Sequence, residues 1–76
     1  MSEEELRKLY GVINNAWKLL KQFSNPIDDD SFWDELILKI DEVHKENGST
    51  DFSKDILLAV ASEIDRRYKN KQEIIQ

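Results

Sequence analysis

Few residues in this chain are equipped for chemistry. His44 is the single histidine. A zinc or catalytic histidine needs partners at helical spacing. With no second His and no Cys, neither a His-Glu-x-x-His helix nor a thiolate site can be built. His44 is therefore expected to be a residue at the boundary of the core. Asp28-Asp29-Asp30 presents three adjacent carboxylates. A calcium loop wants alternating oxygen ligands, Gly at its sixth position and Glu at its twelfth. Counted from Asp28, those positions hold Trp33 and Lys39. The run reads better as helix capping, since acids at a helix start satisfy free N–H groups and complement the dipole. No metal site is expected, and no cofactor.

Asp34 with Glu35, and Asp41 with Glu42, are paired carboxylates. General acid–base work needs one carboxyl desolvated so that its pKa rises. Both pairs fall on the polar side of a helix, where water keeps them ionised. No serine sits in a Gly-flanked elbow, no base is expected beside any of them, and no Gly-rich phosphate loop is present. The expectation is a non-enzyme. One basic cluster, Arg66-Arg67-Tyr68-Lys69-Asn70-Lys71, has the composition of a phosphate contact. Cations also belong at a helix C-terminus.

Gly and Pro, two and one in number, divide the chain. Ser2 followed by Glu5 is a capping-box signature. Leu6, Leu9, Ile13, Ala16, Leu20 and Phe23 then alternate by threes and fours and predict a helical core stripe. Asn25-Pro26 stops that helix. Asp28 to Ser31 supplies caps for a second, with Trp33, Leu36, Ile37, Ile40 and Val43 facing the core. Asn47-Gly48 ends it. Ser49-Thr50-Asp51 opens a third, with Phe52, Ile56, Leu57, Val60, Ile64 and Tyr68 inward. The pattern predicts an all-α antiparallel three-helix bundle in one domain, residues 1–76. Its helices cover about 3–23, 31–47 and 51–71, with a frayed tail at 72–76.

Seventy-six residues can enclose only one small core. Apolar residues make up 39% and charged residues 36%, too apolar for a disordered chain. The longest apolar run is too short for a membrane span. The acidic start Ser2-Glu3-Glu4-Glu5 is unlike a secretion signal, so a cytoplasmic protein is expected. Net charge is −5 and is unevenly spread. Residues 1–23 hold three acids and four bases, 24–51 nine and two, and 52–76 four and five, giving +1, −7 and +1. Overall acidity disfavours nucleic acid and anionic lipid.

Two leucines break the amphipathic pattern. At 100° per residue, Leu38 lies about 160° from Ile40 and Leu58 about 160° from Val60. Leu38 is flanked one turn away by Asp34, Glu35, Asp41 and Glu42. An apolar centre ringed by charge is the anatomy of a small interface. The expected contact surface is Leu38 with those four acids, extended by Asp28, Asp29 and Asp30. Its expected partner is a protein, basic in character. A second copy burying Leu38 in a homodimer is the competing reading. Direct nucleic-acid binding through Arg66, Arg67, Lys69 and Lys71 is the different-class alternative.

Trp17-Lys18-Leu19-Leu20-Lys21, Asp29-Asp30-Ser31-Phe32-Trp33-Asp34-Glu35-Leu36, Leu57-Leu58-Ala59-Val60 and Glu63-Ile64-Asp65-Arg66-Arg67-Tyr68 together resemble a recurring pattern. It is similar to that of small uncharacterised helical proteins of phages and integrated elements in low-GC Gram-positive bacteria. The resemblance implies no catalytic activity. It implies a mobile-element accessory acting on host machinery. Because the −7 segment can mimic a phosphate track, the sharper expectation is an inhibitor that presents acidic side chains to a nucleic-acid-binding host protein.

Overall fold

A computed structural model of the chain describes the backbone of residues 1–75 and the side-chain surroundings of residues 1–70. Three helices follow in order: α1 (Glu3–Gln22), α2 (Asp30–Glu46) and α3 (Asp51–Ile75). All three pack on one another as an antiparallel bundle. Each start is capped as its local residues dictate. Ser2 Oγ accepts from the Glu5 N–H at 3.1 Å, Asp29 Oδ1 from Ser31 at 2.8 Å, and Thr50 Oγ1 from Ser53 at 3.1 Å. These bonds satisfy donors that a helix start leaves open.

The α2–α3 turn is closed by two bonds. The Ser49 N–H donates to the His44 carbonyl at 2.9 Å and the Gly48 N–H to that of Lys45 at 3.2 Å. Both residues are left-handed, with φ of 80° at Gly48 and 53° at Ser49. This is a Schellman closure, and it needs glycine at the first of the two positions. α3 continues to Ile75, beyond the expected end at Lys71. No Gly or Pro interrupts it after residue 48, so nothing in the backbone chemistry ends it earlier. Gln76 lies outside the described residues.

The core consists of Ala16, Leu19, Phe23, Leu36, Leu57, Val60 and Ile64. It is thin. The accessible surface is 5801 Å², against about 4,900 Å² for a compact protein of this mass. The molecule is correspondingly long, 50 × 20 × 18 Å. An edge-to-face series of rings closes one end, with centroids 5.3 Å apart for Phe23–Phe32, 5.0 Å for Phe32–Trp33 and 5.4 Å for Trp33–Tyr68. The Trp33 Nε1–H donates to the Ile27 carbonyl at 3.0 Å, tying the first loop to α2.

The core differs from the expected stripes in phase. On α1 the buried residues are Val12, Ala16, Leu19 and Phe23, while Leu6 and Ile13 are exposed. The apolar arc of α1 runs about 180° around the helix, from Leu19 to Tyr10. The expected stripe took the middle of that arc, whereas the bundle uses one side. On α2 the buried residue is Leu36. Ile40 is half-buried, and Ile37 is 66% exposed. α3 follows expectation more closely, with Leu57, Val60 and Ile64 inside and Phe52, Ile56 and Tyr68 half-buried.

Candidate functional site

The outward face of α2 holds the feature most suited to recognition. Leu38 lies about 160° from the buried Leu36 and is 52% exposed. Ile37 beside it, whose spacing predicts a core position, is exposed too. Ile37 and Leu58 flank a shallow groove of about 270 Å³ between α2 and α3. Its floor is Ile40 and Leu57, and Asp41, His44 and Lys54 border it. Asp41 thus stands between the groove and Leu38. Ile37 and Leu58 add exposed apolar surface at the groove, and Leu38 lies across Asp41 from it.

The acidic rim is partly self-neutralised. Asp41 pairs with Lys45 at 2.9 Å, and Glu42 with Lys39 at 3.5 Å. The hydrogen bond that Lys45 donates to Asp41, and then the Asp41 charge, hold the Lys45 ammonium above the usual lysine range. Asp34 and Glu35 make no ion pair among the described residues. Exposed pairs of this kind contribute little to stability. Displacing Lys39 or Lys45 from these pairs therefore costs little.

The first-loop acids have other work. Asp29 is the α2 cap and Asp30 its first residue. Asp28 hydrogen-bonds Tyr68. Burial chiefly, and the Asp28 charge with that bond, push the Tyr68 phenol up from its ordinary value. Two of the three loop carboxylates are thus committed to the fold. Among the described residues, no group of three or more His, Asp or Glu side chains is gathered to hold a metal ion.

The basic end of α3 is laced to acids one turn earlier. Glu63 takes Arg66 and Arg67, each at 2.8 Å, and Asp65 takes Lys69 at 2.9 Å. Arg67 first, then Arg66, hold the Glu63 carboxyl below its usual range. The side chain of Lys71 lies outside the described residues. Arg66, Arg67 and Lys69 are all exposed, with their charges partly met within the helix.

One pair was missed in the sequence. Ser53, wholly buried, sits with its Oγ 3.0 Å from His44 Nδ1. A base therefore does stand beside a serine, contrary to expectation. The Ser53 position falls between Leu57 and Val60 on the α3 stripe, and a polar side chain there needs a partner. That signal was available. A serine with no exposed surface offers no nucleophile to a substrate, so the pair serves α2–α3 packing.

In comparison with known proteins, no family model, no curated protein and no solved structure matches this chain. No helix among the described residues is long and apolar enough to cross a membrane.

Proposed function

We propose that this chain is a small acidic protein-interaction module that acts by contact rather than catalysis, with the outer face of α2 as its working surface. One observation carries the reading: Ile37 and Leu38 stand adjacent and exposed inside the −7 segment. Water solvates charged side chains well and apolar ones poorly, so burying this pair under a partner is favourable. Asp34, Glu35, Asp41 and Glu42 select a basic partner and speed its approach. The sharper form is a mobile-element accessory that occupies the polyanion site of a nucleic-acid-binding host protein, its carboxylates standing where phosphates bind.

Leu38→Ser tests this. It removes no core contact, so the melting temperature stays near wild type. Partner binding weakens about tenfold or more, as loss of a desolvated leucine implies. Unchanged binding would place the working face elsewhere. The nucleic-acid alternative through Arg66, Arg67, Lys69 and Lys71 is disfavoured by the pairing of the first three with Glu63 and Asp65. Direct DNA or RNA binding with a steep salt slope would restore it.

A further inference from the structure

α1 carries more apolar surface than its two neighbours cover. Leu6, Tyr10, Ile13 and Trp17 follow one another at intervals of four, three and four, the repeat of a helix–helix seam. They are between 51% and 63% exposed. Their open halves amount to roughly 400–500 Å² of apolar surface, at the upper end of what a monomer leaves uncovered. Two such faces with their rims bury about 1,000–1,200 Å² in all, the lower end of specific association.

We propose that this stripe is a homodimer interface in which α1 lies antiparallel against α1 of a second copy. Charge identifies the occupant. Beyond Tyr10 the flank carries Glu3, Arg7, Asn14 and Lys21, a mixed set that gives no preference for a basic partner. With a two-fold axis between positions 11 and 12, Leu6 meets the partner's Trp17 and Tyr10 meets the partner's Ile13. Large side chains then face smaller ones. The same register sets Glu3 beside the partner's Lys21 and opposes the two helix dipoles. A parallel pair would stack Glu3 on the partner's Glu3 and lysine on lysine. At the end of the stripe lies an open cavity of about 260 Å³ whose lining includes Trp17, Leu20, Pro26 and Ile64. It receives the partner's Leu6. The outer face of α2 cannot pair with itself in this way, because acid would face acid. The dimer therefore leaves that face free.

Sedimentation equilibrium across a concentration series tests the proposal. Wild type should dimerise with a Kd of about 10–100 µM, the range of a weak specific contact. Ile13→Lys should raise Kd at least tenfold with unchanged helical circular dichroism, since Ile13 is outside the core. Glu3→Lys and Lys21→Glu should each weaken the dimer severalfold, and the two together should restore it. A wild-type chain that stays monomeric up to about 1 mM overturns the proposal. So does a dimer that Ile13→Lys leaves intact or that Leu38→Ser abolishes. Failure of the double charge swap to rescue overturns the antiparallel register.

Discussion

The outer faces of α1 and α2 expose comparable side chains in opposite electrostatic settings. Leu6, Tyr10, Ile13 and Trp17 run along a helix whose charges nearly balance, in a segment of +1. Ile37 and Leu38 sit in the most acidic stretch, at −7. Apolar exposure sets how much a contact is worth, and the rim sets which contact forms. A balanced rim is complementary to itself once turned around. An acidic rim repels its own copy and draws a basic partner. On the proposed reading, the two faces divide between self-association and recognition.

The largest expected effect separates both faces from the core. Leu57→Ala should cost about 2–5 kcal/mol, because Leu57 is buried at the meeting of the helices. Ile37→Ala should cost less than about 0.5 kcal/mol, as for other exposed positions. Ile40, half-buried, should fall between them. Denaturant unfolding of the three variants gives the order. Equal losses at Ile37 and Leu57 would mean that the α2 face is core and not surface.

Next in size is the charge dependence of the α2 face. Reversing Glu35 and Glu42 to Lys should slow association with a basic partner about tenfold or more and flatten its salt dependence, which stopped-flow measurements read. The same reversal should leave α1-mediated self-association unchanged. A parallel loss in both would remove the division of labour between the faces.

Smaller effects probe the interior contacts. Ser53→Ala should cost about 0.5–1.5 kcal/mol, since the half-exposed His44 finds water in place of the lost hydroxyl. At alkaline pH, Tyr68 should report on its contact with Asp28. Its folded-state pKa is raised, so the native protein holds the phenol proton more tightly than the unfolded chain. The resulting stability is fully present below the unfolded value of about 10 and is lost as pH rises through the folded one. Thermal melts of Tyr68→Phe should lack that part of the slope, and Asp28→Asn should reduce it. Chelation should have the smallest effect: circular dichroism and melting temperature should not move. A drop of several degrees would return Asp28, Asp29 and Asp30 to consideration as ligands.

Much of this was legible in the residues. Ser2, Asp29, Thr50, Gly48 and Pro26 act through local backbone chemistry, so the caps and breaks of all three helices can be read one at a time. Leu38 and Leu58 were visible as outliers because each lies about 160° from the centre of its helix's core stripe. The phase of α1 was not legible. Nine apolar residues cover about half its circumference, and nothing within the helix says which half the other two helices will take. Ile37 is the same problem in smaller form, being about 100° from Leu36 at the edge of its stripe. The partner of Ser53 depends on how α2 docks on α3. The serine's misplacement in an apolar stripe showed that a partner was needed, without naming His44.

The central claim, that recognition belongs to α2 and not α1, is tested most directly by parallel capture. Wild type, Leu38→Ser and Ile13→Lys are immobilised and exposed to the same host lysate, and retained proteins are quantified by mass spectrometry. A basic protein that is held by wild type and Ile13→Lys, released by double-stranded DNA and lost from Leu38→Ser is the predicted result. A partner retained equally by Leu38→Ser and lost only from Ile13→Lys would contradict it.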